Sequence, residues 1–178
     1  MTRKILKSAV FAVLAFVVLS VSSCSKADIA IEGKYHFKMS GKMVCIGEND
    51  TTESFVLSAQ TGTMTIIHDE GTSYVVNMSV MMGGDIMSFN ATWKDNALTL
   101  DPREIIVSIK PEGESSTGIL NTLAGSGSPV CLTFSGSGKL MENTIMMQMY
   151  CKGEFAYDDM SYTVVPDSYD IICVADRL

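Results

Sequence analysis

Apolar and polar side chains alternate residue by residue along most of this chain. Tyr35, Phe37 and Met39 alternate with His36, Lys38 and Ser40; Met64 and Ile66 with Thr63 and Thr65. Tyr74, Val76, Met78, Val80 and Met82 share one parity, as do Met87, Phe89, Ala91 and Trp93, and later Ile145, Met147, Met149 and Cys151. Successive side chains of a strand point to opposite faces, so this pattern predicts strands with one buried face. Clusters rich in Asp, Asn and Gly interrupt it: Asp69-Glu70-Gly71, Gly83-Gly84-Asp85, Lys94-Asp95-Asn96 and Asp158-Asp159. Turn residues at such spacing predict antiparallel strands joined as hairpins.

Some segments carry further expectations. Phe55–Ala59 reads as a short strand ended by Gln60-Thr61-Gly62, and Asp101-Pro102 separates two strands, Ala97–Leu100 and Glu104–Ile109. Lys110–Pro129 reads as a long loop with one short helical turn at Gly118–Leu123. Ser135-Gly136-Ser137-Gly138 reads as a bulge or sharp bend. Tyr169–Val174 reads as the closing strand. The expected class is all-β: an antiparallel up-and-down barrel of about eight to ten strands, a closure that removes exposed sheet edges.

The N-terminus obeys other rules. Arg3, Lys4 and Lys7 precede an apolar run, Ala9–Leu19, too short for a bilayer core of about 30 Å. Small residues then lead to Cys24, the layout of a secretory signal peptide. Val21-Ser22-Ser23-Cys24 resembles the bacterial lipobox. That resemblance implies cleavage of residues 1–23 and lipidation of Cys24, with residues 24–32 as anchor and short tether and residues 33–178 as the folded domain. Two or three acyl chains make such anchoring stable. Ser25 lacks the Asp of an inner-membrane retention signal, so the expected address is the outer membrane of a cell envelope, facing the periplasm or the surface.

The chain has 13 Lys and Arg against 20 Asp and Glu, and the signal segment holds three of the cations. The remainder is strongly acidic and repels phosphates, which argues against nucleic acid as a partner. Four cysteines follow Cys24: Cys45, Cys131, Cys151 and Cys173. An even number in an exported chain permits two disulfides in three connectivities, and buried free thiols are the alternative. Cys151 and Cys173 lie equidistant from Tyr162, on strands flanking one connection, which makes them the candidate pair. Their spacings match neither a zinc knuckle nor a thioredoxin-type motif.

Gly33-Lys34-Tyr35 opens the first strand soon after the lipobox. This resembles the opening of the calycin-like, or lipocalin-like, lipoproteins of Bacteroides-type bacteria, with Tyr35 in place of the Trp of the lipocalin Gly-x-Trp. Gly136-x-Gly138 before a long strand is similar to that pattern too. The resemblance implies a calycin-like barrel that binds a small apolar ligand. Lipocalins stack an Arg on that Trp; Arg103 and Arg177 follow the signal segment, and sequence position selects neither.

No catalytic residue is assigned. His36 alternates outward, and His68 reads as a strand-end His bonded to a loop. No nucleophile elbow in its strand-turn-helix context, phosphate loop or His-Glu-x-x-His occurs. Glu48-Asn49-Asp50 is too brief for a Ca²⁺ loop. The abundant Met residues read first as core packing, then as the lining of an apolar cavity, and last as copper ligands. No metal or cofactor is expected. The pocket candidates are Tyr35, Phe37, Met39, Met78, Met82, Phe89, Trp93, Met147 and Met149. The expected role is a lipid-anchored ligand-binding barrel, or else a structural or interaction subunit of an outer-membrane or surface complex that needs no pocket.

Overall fold

The computed structural model describes residues 30–80, 86–113 and 127–178. The signal segment, Cys24, Met82 and the helical turn expected at Gly118–Leu123 lie outside them. The described residues are all-β, with nine antiparallel strands in one sheet that closes in a ring. In chain order these are β1 (Gly33–Gly47), β2 (Thr52–His68), β3 (Ser73–Val80), β4 (Ile86–Lys94), β5 (Ala97–Pro111), β6 (Ser128–Met141), β7 (Thr144–Lys152), β8 (Glu154–Tyr157) and β9 (Met160–Arg177).

The turns follow from residue chemistry. Asp95-Asn96 joins β4 to β5 and Asp158-Asp159 joins β8 to β9, all four at positive φ. Two consecutive left-handed residues form the hairpin turn whose twist matches the strands, and Asp and Asn tolerate that conformation best after Gly.

Closure comes from β1, which pairs with β2 along one edge and with β9 along the other. The ring tapers. At the rim where β1 begins, eight strands follow one another: β1, β2, β3, β4, β5, β6, β7 and β9. Toward the other rim the short β3–β4 hairpin is absent, and β2 pairs directly with β5 through Phe55–Pro111, Val56–Lys110 and Leu57–Ile109. There β8 takes over from β7 beyond Gly153 and pairs with the start of β9.

Five sequence expectations need correction. Lys110 and Pro111 belong to β5 and Ser128 and Pro129 to β6, not to the expected loop, and the closing strand runs from Met160 to Arg177 rather than over Tyr169–Val174 alone. Gln60-Thr61-Gly62 does not end a strand: the ladder to β1 includes all three residues, and the ladder to β3 begins at Gly62. Asp101-Pro102 does not separate two strands either. β5 is continuous, and the pair forms a register shift between Leu100 and Arg103, where a proline without an N–H is tolerated. Gly136 and Gly138 form no bend: β6 pairs with β7 without interruption from Thr133 to Met141. The bulge lies on the facing strand β5, and the glycines have another role, described below.

Candidate functional site

The candidate site is the interior of the ring, which the alternating pattern fills. Tyr35, Phe37, Met39 and Met43 of β1, Met64 of β2, Met78 of β3, Phe89 of β4, Phe134 of β6, and Met147 and Met149 of β7 are all buried. Tyr35, Phe37, Met43, Met64, Met78, Phe134 and Met149 have 0% exposure. A side chain with no accessible area touches no void wide enough for a water molecule. Of the pocket candidates among the described residues, Tyr35, Phe37, Met39, Met78, Phe89, Met147 and Met149 therefore stand together on one packed inward face. Trp93 is half-buried near the β4–β5 turn and packs against that core from the wide rim.

The methionines and glycines of β6 and β7 are complementary. Gly136 stands opposite Met149 and Gly138 opposite Met147. A Cβ on Gly136 would meet Met149 Sδ at 2.8 Å, and one on Gly138 would collide with the Met147 side chain and the Met146 carbonyl. Bare backbone on β6 is what allows the two long thioethers to lie flat over it.

The wide rim is closed by a residue that sequence position did not single out. Arg177, near the end of β9, lies opposite Tyr35. Its guanidinium carbon is 5.4 Å from the Tyr35 ring centroid, and Nη2 donates to the Glu32 carbonyl at 2.8 Å. The Tyr35 hydroxyl donates to the Ile31 carbonyl at 2.6 Å, and Ile31 is itself buried. Desolvation raises the Tyr35 pKa, and the neighbouring Arg177 charge partly offsets that rise. The signal for Arg177 lay in the pairing of first and last strands, which no local motif reports.

Aromatic rings fill the narrow end. The Phe55 centroid lies 4.9 Å from Tyr162, 5.1 Å from Phe155 and 5.4 Å from Tyr157, each edge-on. Edge-to-face geometry is the favoured arrangement for such rings.

Among the described residues the cysteines do not pair. Cys45, Cys131, Cys151 and Cys173 are all free thiols. The pairing anticipated between Cys151 and Cys173 fails on register, because Cys173 stands opposite Met147 while Cys151 stands opposite Phe134. Cys151 instead contacts Met43, with Sγ and Sδ 4.0 Å apart. Burial pushes the thiols of Cys45, Cys151 and Cys173 up to about 12, with Glu53 adding to the effect at Cys45 and Cys45 adding to it at Cys151. Thiols so shifted are poor nucleophiles. Cys131 is exposed on the outer face of β6.

The two histidines stand apart. His36 is exposed on the outer face of β1. His68 Nε2 is 3.0 Å from the Gly71 carbonyl, and its ring meets Tyr74 edge-on at 5.0 Å. Among the described residues no group of three His, Cys, Asp or Glu side chains could hold a metal ion. No protein-family model matches this chain, and neither the curated proteins nor the solved structures contain a match to it.

Proposed function

We propose that this chain is an envelope lipoprotein, anchored through Cys24, whose calycin-like barrel serves as a structural or interaction module and works through its outer surface. The observation that carries this reading is the packed interior. Side chains with no accessible area leave no preformed room among them for a ligand, and small rings of strands either fill with side chains or hold one. The stack of Arg177 on Tyr35 supports the calycin-like assignment, since it supplies the Arg that the resemblance calls for. The reading assigns no catalytic role and no cofactor, and leaves nucleic acid out as a partner.

A second reading has its own support. Among the described residues, seven methionines line the inward face: Met39, Met43, Met64, Met78, Met87, Met147 and Met149. Unbranched thioether side chains rearrange easily, so a small apolar ligand could enter by displacing them.

One experiment separates the two. Thermal-shift and native mass-spectrometry screens against fatty acids, sterols, bile acids and haem should show no stoichiometric binding, while cross-linking of the native lipidated protein in intact envelopes should give a discrete stoichiometric complex. A ligand bound one-to-one with a raised Tm would replace the first reading with the second.

A further inference from the structure

We propose that the wide rim of the ring rests on the lipid bilayer, with Ile67, Met141 and Leu178 as its contact residues. The inference rests on the anchoring of Cys24 and adds to it an orientation.

These three side chains follow a common rule. Each occupies the last outward-facing position at the wide-rim end of its segment, beyond the buried Ile66 of β2, Leu140 of β6 and Ala175 of β9. They are 50%, 51% and 76% exposed. They also share one arc of the rim. Leu178 N donates to the Lys34 carbonyl at 2.9 Å, Gly33 pairs with Ile66, and Arg177 N donates to Asn143 in the β6–β7 turn at 2.8 Å. Trp93 borders the same rim.

The tether decides what covers this arc. Arg177 clamps the Glu32 carbonyl and Tyr35 clamps the Ile31 carbonyl, so the chain is fixed from Ile31 onward. Fully extended, the stretch from Cys24 to Ile31 reaches about 25 Å. The wide rim is therefore held within that distance of the lipid. The 15 residues of β1 run about 50 Å toward the other end. A tether also raises the local concentration of the surfaces it joins, so a small apolar contact suffices. The rim carries Glu32, Asp69, Glu70, Asp95, Glu142 and Asp176 beside Lys34, Lys94, Lys139 and Arg177, so the attraction is apolar and favours zwitterionic over anionic lipid.

The competing orientation lays the ring on its side through the exposed Met146, Tyr150 and Ile172 of β7 and β9. Trp93 is the chain's single tryptophan and reports on the rim without labelling. The lipidated protein is reconstituted into phosphatidylethanolamine vesicles containing headgroup-spin-labelled lipid. Trp93 should be quenched severalfold more than a tryptophan placed at the narrow end in W93F/D159W. The triple variant Ile67→Ser, Met141→Ser, Leu178→Ser should lose most of the Trp93 quenching while still floating with the vesicles. Equal quenching at both ends, quenching that survives the triple substitution, or stronger quenching at a tryptophan replacing Ile172 overturns the orientation. A protein that neither floats nor carries acyl mass on Cys24 overturns the anchor as well, and flotation is read before any fluorescence.

Discussion

Gly138 of β6 faces Met147 of β7 so closely that the methionine side chain occupies the space a Cβ would need. Gly138→Ala must displace backbone, because the Met146 carbonyl lies in the way as well. Overpacking of this kind costs about 1–3 kcal/mol. Gly136→Ala meets first the flexible end of Met149 and should cost less. Urea denaturation of the two single variants should rank them in that order, with unchanged m-values.

Arg177 joins β9 to the residues that precede β1. Arg177→Met removes the hydrogen bond to Glu32 and the charge over the Tyr35 ring. The expected loss is about 1–2 kcal/mol, and Arg177→Lys should recover only part of it, since an ammonium lacks the planar guanidinium that both stacks and donates. Tyr35→Phe keeps the stack but leaves the Ile31 carbonyl without its donor, at a cost of about 1 kcal/mol. Thermal melts of the three variants check the ranking.

The buried thiols give a pH dependence with a definite sign. Cys45, Cys151 and Cys173 hold their protons to about 12 in the folded chain, against an ordinary value of 9.0. Below the unfolded value both states are protonated and stability does not respond to these groups. As pH rises from about 9 toward 12 the unfolded chain releases protons that the folded chain keeps, so stability falls. Urea midpoints should be insensitive to these thiols up to about pH 8 and decline above about pH 9. Cys45→Ser, Cys151→Ser and Cys173→Ser should each flatten that decline. In the folded protein a thiol reagent at neutral pH should label Cys131 and spare the other three, and unfolding should expose them all. Non-reducing mass mapping should find Cys151 and Cys173 unlinked.

Phe55 is the hub of the narrow end, with three rings edge-on around it. Phe55→Ala should cost about 3–5 kcal/mol, the range for a large buried aromatic. Phe55→Leu should cost less, because part of the volume is kept. Chemical denaturation measures both.

What the sequence made legible was local. Alternation marked the inward faces of β1, β3, β4 and β7, because side-chain parity on a strand is dictated by neighbours two residues away. Asp95-Asn96 and Asp158-Asp159 marked their turns because those residue types accept left-handed backbone. Breaks read from composition alone failed. Gly62 and Pro102 sit inside long strands: Gly62 is paired with Phe37 and Val80, and Pro102 lies in a register shift with the β5–β6 ladder on both sides of it. Distance along the chain hid Arg177 from Tyr35 and misdirected the pairing of Cys151 with Cys173, since register across β7 and β9 depends on the turn and bulge geometry between them. The interior was legible as apolar. Whether it was full depended on how Met147 and Met149 lie over two glycines, and no one-dimensional pattern states that.

The pairing of β1 with β9 sets a condition on how this protein comes to exist. The first strand of the ring waits for the last, the 18 residues of Met160–Arg177, and until they arrive it has a partner on one edge only. A chain delivered N-terminus first stays an open sheet for nearly all of its delivery. Contacts between such distant segments form slowly. The geometry that seals the finished molecule thus keeps the nascent one unsealed, and a truncation that removes β9 leaves an edge along β1 that invites other chains to complete it.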